Sequence, residues 1–372
     1  MRIAGIATIT AVLLAAASLL WQTEVPDNLV LRQAPGGISG AERAEEYADG
    51  LRLLWLGGIA AQLVLAAALA WRWRPRRAFA ALLVLLAALW LVRLPFRAGA
   101  HARRREYGTS DQAWLDWLFS PWAETIGTVA VALAGLGVGI LLARRLGRRW
   151  WLAGGPALAA IGAAAILLQP LVFAPRLEPL RDPALLAAID SDLPVEVKRA
   201  HDRTNRINAE IAGVGPTRRV ILWDTLLDGR VPSGEVVYIA AHELAHASER
   251  HLWKGLAWLG LAAVPLAWAI ARATEPRGGL GSPAAVPLAV LVVLLLELAL
   301  LLPGNAISRR YEAEADWLAL ERTRDPAAAE SLFRRFVTAN LADPRPPAWL
   351  STHPSLAERI AMARAWAERA DR

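Results

Sequence analysis

His242 and His246 stand four residues apart, with Glu243 between them, in the run His242-Glu243-Leu244-Ala245-His246. On a helix, positions i and i+4 share a face, so both imidazoles can reach one metal ion. Glu243 projects beside them and can take a proton from a water that the metal has acidified. A hydrolytic zinc site needs one further protein ligand and an open position for water. The chain offers candidates later, in Ser308-Arg309-Arg310-Tyr311-Glu312-Ala313-Glu314-Ala315-Asp316. Glu312 and Asp316 are again i and i+4, so one can ligate while the other orients the ligands. Glu314 lies about 200° round the helix from Glu312, at roughly 100° per residue, and is expected to face away. The competing reading of the five-residue run alone is a helix that happens to carry two histidines. The second acidic block weighs against it.

The helix that carries His242 and His246 is legible. Ser233 is the expected N-cap, Glu235 suits the positive end of the dipole, and Val236–Ala247 contains no breaker. His251 is assigned to the end of this helix, where a cation suits the dipole. His101 and His201 are expected in solvent.

These elements sit in a chain of unusual composition. Of 372 residues, 55% are apolar and only 20% charged, and the apolar residues fall in long blocks. About 20 apolar residues are needed to cross a bilayer. Ile3–Trp21, Leu53–Trp71, Thr125–Ala143 and Trp150–Ala174 qualify without a formal charge. Ala78–Val92 is short and interrupted by Arg93, with Leu94-Pro95-Phe96 able to extend it to the interface; Gly255–Ala271 is marginal, and Pro283–Ala306 carries Glu297 inside it. The first of these seven has a second reading, as a cleaved signal peptide. Gly135 and Gly139 form a small-residue pair in the fourth. An ionisable residue within a span, such as Glu297, is a functional candidate or is wetted by an internal cavity.

The net charge is +7, yet the arginines flank apolar runs, at 72–77 and 144–149. That placement points to topology and lipid headgroups rather than to nucleic acid. Tryptophans at span edges, among them Trp21, Trp71, Trp122 and Trp150, fit the membrane interface. The absence of cysteine excludes thiol catalysis and thiolate ligands. The two Arg-rich loops read as cytoplasmic, and the acid-rich loop 22–50 as external. Alternation then places 175–250 and the C-terminal segment outside, with Arg103-Arg104-Arg105 as the opposing signal.

The two blocks in this order resemble the type I CAAX prenyl proteases, membrane zinc metalloendopeptidases, and their bacterial relatives. That resemblance rests on His242–His246 and Ser308–Asp316, and it implies Glu312 as the third ligand of one Zn²⁺ per chain. Asn208-Ala209 is similar to the family's Asn-Ala pair, which implies an Asn near the substrate. His353-Pro354, with Leu356, Glu358 and Arg359, is similar to its H-P-x-L-x-E-R block, whose His helps stabilise the transition state. From the residues alone, His353 before Pro354 has a second reading as a cap of the next helix. The segment Arg219–Leu227 resembles the strand before the metal helix, and Val220–Trp223 is the expected partner of an extended substrate.

The resemblance implies a mainly α, polytopic membrane protein, with seven transmembrane helices around a water-filled chamber and a small α+β zinc metalloprotease cap. Four regions follow: a bundle over 1–174, a catalytic segment over 175–251, a transmembrane hairpin over 252–306, and a second catalytic segment over 307–372. The expected activity is hydrolysis of peptide or membrane-associated protein substrates in the lipid bilayer of a bacterial cell. Glu243 is the base, His353 an oxyanion donor, Asp316 an orienting carboxylate, and Asn208 a substrate contact. Quality control of membrane proteins, without prenyl specificity, is the alternative role. A transporter or receptor with an incidental motif is the reading from another class.

Overall fold

The computed structural model describes residues 2–26, 37–172 and 177–370, without the side chains of 2–11, 123–124 and 169–172. In chain order these form helices α1 (Arg2–Trp21), α2 (Ala41–Arg72), α3 (Ala78–Glu106), α4 (Trp114–Phe119), α5 (Trp122–Leu146) and α6 (Trp151–Val172). Strand β1 (Leu177–Pro179), helix α7 (Pro183–Ile189), and strands β2 (Val195–Lys198), β3 (Ala209–Ala212) and β4 (Arg219–Trp223) follow. Then come α8 (Ser233–Ser248), α9 (His251–Thr274), α10 (Val286–Thr323), α11 (Pro326–Ala339) and α12 (Leu356–Ala370).

Six of these, α2, α3, α5, α6, α9 and α10, are long and apolar enough to cross a membrane. Their large side chains face outward: Leu53 is 70% exposed, Val64 71% and Leu91 59%. Such a surface is at home only in lipid, where each helix satisfies its own backbone. The chain is an integral membrane protein. The expected first span is helical as α1, but its side chains before Val12 lie outside the described residues, as do Asp27 and the end of 150–174. The span interrupted by Arg93 continues through Leu94-Pro95-Phe96, as expected, and runs on to Glu106. The proline has no N–H to give, and packed neighbours make its interruption tolerable.

The closest approach of two helices is not at Gly135. A Cβ there would meet Leu158 at an ordinary 3.4 Å, whereas one at Gly155 would stand 2.7 Å from the Val264 Cα. Gly155 is therefore what lets α6 and α9 pack backbone to backbone. Among α2, α3, α5 and α10 lies a cavity of about 1150 Å³, lined by Gln62, Arg93, Arg97, Thr128 and Glu297 among apolar residues. Glu297 thus faces an internal chamber rather than lipid.

The loops at one end of the bundle are joined by Arg148 and Arg272, both paired with Glu275. Arg277 feels the charge of Arg74 from the third loop. At the other end sits the cap. Its sheet has the order β1-β2-β4-β3, with β2 and β4 parallel and the outer pairs antiparallel. Strand β4 is central, and Val220, Ile221 and Leu222 are all buried. It cannot accept a substrate strand, as expected of Val220–Trp223, because both its edges are taken. The edge nearest α8 belongs to β3.

Helix α8 is wedged between the sheet, α10 and α11, with Tyr238, Leu222, Leu320, Phe333 and Ile360 in a shared core. Each such side chain stabilises the fold by roughly 1.5–3 kcal/mol. Ser233 is the first helical residue of α8 and caps nothing; Pro232 occupies the cap position. Glu235, rather than sensing a dipole in water, is buried and receives hydrogen bonds from Arg335 at 2.5 and 2.8 Å and from Ser331 at 2.7 Å. His101 is not in solvent either. It is buried and stacks on Trp117 with centroids 5.0 Å apart.

Candidate metal centre and active site

Helix α8 places His242 and His246 on one face, and α10 brings Glu312 against them. The two Nε2 atoms are 3.1 Å apart. Glu312 Oε2 lies 3.2 Å from His242 Nε2, and its Oε1 lies 3.5 Å from His246 Nε2. A tetrahedral zinc with bonds of about 2.0–2.1 Å needs donors separated by roughly 3.3–3.4 Å. The three residues fit. Glu312 Oε2 is also a buried oxygen that lies 3.2 Å from both His242 Nε2 and His353 Nε2 without a well-directed hydrogen bond to either, and a cation would satisfy it. Burial opposes charge on His242, but Asp316 and Glu312 outweigh it and hold its pKa up to about 10. Negative charge that retains a proton so firmly also attracts a divalent cation.

Behind each imidazole stands a relay. His242 Nδ1 is 3.0 Å from Asp316 Oδ1, and Arg359 donates to both oxygens of that carboxylate at 2.7 and 2.6 Å. The tautomer follows from this network: Nδ1 carries the proton and Nε2 keeps its lone pair for the metal. His246 Nδ1 is 2.8 Å from His251 Nδ1, and His251 Nε2 is 2.9 Å from Glu314 Oε2. His251 donates to the carboxylate and so accepts from His246, which leaves His246 in the same state. Glu314 in turn accepts from Lys254 at 3.4 Å and from the Glu24 N–H at 2.8 Å.

The structure corrects the place of His251 and adds a task for Glu314. His251 opens α9 instead of ending α8 as a cation, and the five-residue offset after His246 was the available signal. Glu314 does face away from Glu312, but into the core, where it anchors His251. Arg359 was visible only as a motif letter, and its partner Asp316 gives it a task.

A cleft of about 390 Å³ opens beside the ligands and is lined by Asn208, His242, Glu243 and His353. Burial pushes the Glu243 carboxyl above the usual carboxylate range, while His242 and His246 pull it down. The backbone N–H of Ile211, on the free edge of β3, acts on the same carboxylate. His353 Nε2 lies 3.2 Å from Glu312 Oε2, and Thr352 Oγ1 stands 2.9 Å from its Nδ1. With Thr352 donating, the proton sits on Nε2, aimed into the cleft. Enclosure lowers the imidazole below its usual value, so it is neutral at pH 7. His353 does not cap α12; Ser355 and Glu358 do so reciprocally. His201 is bound to Asp224, away from the cleft.

Residues 184–367 match the model of Peptidase family M48. Over 301 residues the chain is 27% identical to an uncharacterized metalloprotease, YhfN, of Bacillus subtilis (strain 168), covering 73% of this chain and 69% of that one. Its fold is similar to the crystal structure of S. mikatae Ste24p, with a TM-score of 0.68 at 17% identity over 95% and 96% of the two chains. The family match to the catalytic segments, the curated metalloprotease relative and a likeness in fold across the membrane bundle agree: residues 184–367 form a Peptidase family M48 domain, and the chain is a membrane zinc endopeptidase with a Ste24p-like fold.

Proposed function

We propose that the chain cuts membrane-associated polypeptides at a single zinc held by His242, His246 and Glu312, with Glu243 as general base. The observation that carries this is the convergence of His242 Nε2, His246 Nε2 and the buried Glu312 carboxylate, with Glu243 beside them. Zinc in such a site supplies Lewis acidity, which acidifies a water and polarises a carbonyl. Glu243 accepts the proton of the attacking water and returns it to the leaving amine. His353 donates its Nε2–H to the oxyanion as charge develops there. Asp316 orients His242. An extended substrate pairs with the free edge of β3, where Asn208 at the start of the strand meets it. Glu243→Gln tests the assignment: one zinc per chain is retained and proteolysis is lost. Full activity in that variant would sink it.

The catalytic end faces away from the cytoplasm of a bacterial cell membrane. Support comes from the opposite end, where residues 72–77, 144–149 and 272–277 bring together ten arginines and a single acid, Glu275. The opposing cluster at 103–105 is occupied by protein: Arg103 donates to the Tyr47 carbonyl at 3.1 Å, and Arg105 to those of Asp111 and Gln112. A reporter enzyme fused to the C-terminal segment decides this. Activity confined to the cytoplasm refutes the orientation and leaves the chemistry standing.

A further inference from the structure

Three guanidinium groups line the cleft beside the metal ligands, those of Arg52, Arg206 and Arg359. Two are committed to carboxylates. Arg52 donates to Asp343 at 2.6 Å and to Asp49 at 3.1 Å, and Arg359 grips Asp316. Arg206 has no carboxylate partner among the described residues. The charged side chain that acts on it is a like one, Arg104 of α3. Arg104 in turn lines the membrane chamber, so Arg206 stands where chamber and cleft approach one another. Its side chain is exposed to solvent at the cleft, and partial desolvation together with the like charge of Arg104 lowers its pKa. Arginine stays ionised all the same. A cation in a cleft with a like charge beside it and no carboxylate partner is free to pair with an anionic ligand, which also offsets the repulsion from Arg104.

The backbone that presents Arg206 is held firmly. Asn340 donates to the Ile207 carbonyl at 2.9 Å and accepts from the Ile207 N–H at 2.8 Å. Thr225 donates to the Arg206 carbonyl at 2.8 Å, and the Trp223 N–H donates to that of Asn208 at 3.0 Å. Ile207 is buried, while Arg206 and Asn208, two residues apart, both line the cleft. The segment runs directly into the free edge of β3. With its chain so pinned, a guanidinium loses little freedom on binding, and its planar fork matches a carboxylate.

We propose that Arg206 forms a carboxylate subsite of the cleft, reading an acidic group on the polypeptide beside Asn208. This rests on the proteolytic reading above. The carboxylate comes from one of two sources: the α-carboxylate of a chain end, or an Asp or Glu side chain. A strand advances about 3.3 Å per residue, so Arg206 lies within roughly 17 Å of chain from Ile211, near Glu243. The acidic group is therefore sought within a few residues of the bond cut.

The test uses the purified full-length zinc protein in nanodiscs and a set of fluorogenic peptides of one parent sequence. One arm compares a free C-terminal acid with its amide; the other moves a Glu, against a Gln control, through each position near the cut. The readout is the acid-over-amide ratio of kcat/KM, in which any general loss of activity cancels. A single desolvated charge pair is expected to give wild type a ratio of about ten or more in one arm. Arg206→Gln brings that ratio close to one, Arg206→Lys restores part of it, and Arg206→Glu turns it in favour of a Lys-bearing peptide. Which arm responds identifies the source. A wild-type ratio near one in both arms, with peptides still cut, overturns the subsite and leaves the protease. A ratio that Arg206→Gln leaves unchanged overturns it as well. If no peptide is cut, the proteolytic reading fails and the subsite with it.

Discussion

Replacing His251 by Phe isolates the relay behind His246. The aromatic ring keeps the stack on Tyr311, whose centroid is 4.7 Å away at an angle of 8°, and removes only the two nitrogen contacts. Two losses follow. Glu314, 1% exposed, loses a charge-assisted hydrogen bond of 2.9 Å but keeps Lys254 and the Glu24 N–H. Bonds to charged groups contribute about 1.5–3 kcal/mol, and with two donors remaining the loss of stability is about 2 kcal/mol. His246 Nδ1 loses the acceptor that fixes its tautomer and ring angle, and removing such support costs roughly 10- to 100-fold in metal affinity. Competition between purified protein and a zinc chelator measures the second effect, and thermal unfolding in excess zinc measures the first. Glu314→Gln is the companion: its amide oxygen still accepts from His251, so its zinc affinity falls less than that of His251→Phe. Zinc affinity in His251→Phe within about twofold of wild type would refute the reasoning, because it would mean that His246 is held without the relay.

Two further outcomes are expected. His353→Phe lowers kcat by about 10²–10³-fold while zinc content is unchanged, as for loss of an oxyanion donor; a change confined to KM would contradict the role. Asp224 accepts from the backbone N–H groups of Ala200 and His201 and binds the His201 ring, and although burial opposes ionisation these contacts lower its pKa. Its stabilisation is therefore present above the unfolded carboxylate value of about 3.9 and is lost as pH falls through the depressed native one, so Asp224→Asn costs about 1 kcal/mol at pH 7 and progressively less in acid, read from unfolding at several pH values.

The membrane character and the two blocks that meet in the candidate metal site could be read from the sequence because each rests on local spacing. Twenty apolar residues announce a span, and i, i+4 histidines announce a shared face. What could not be read was set by distant partners. The carboxylate of Glu235 looked like a helix-dipole residue until Arg335 and Ser331 closed on it. Strand β4 looked like a substrate edge because nothing in 219–223 tells that β2 and β3 flank it. His251 looked like the end of one helix because the left-handed turn at Arg250, φ 55°, that starts another has no glycine to mark it.

Helix α10 runs unbroken over 38 residues, from the membrane-spanning stretch to Glu312, Glu314 and Asp316. Its cap-end half is clipped to the first helix: Tyr311 donates to the Leu20 carbonyl at 2.6 Å, Arg310 to that of Trp21 at 2.5 Å, and Glu314 takes the Glu24 N–H. Segments 291 residues apart in the chain thus meet beside the candidate metal ligands, and Arg359 follows later still. A nascent chain carrying only His242 and His246 lacks its third ligand, the support of both imidazoles and the oxyanion donor. A chain whose synthesis has not yet reached residue 312 therefore cannot assemble the three-residue cluster.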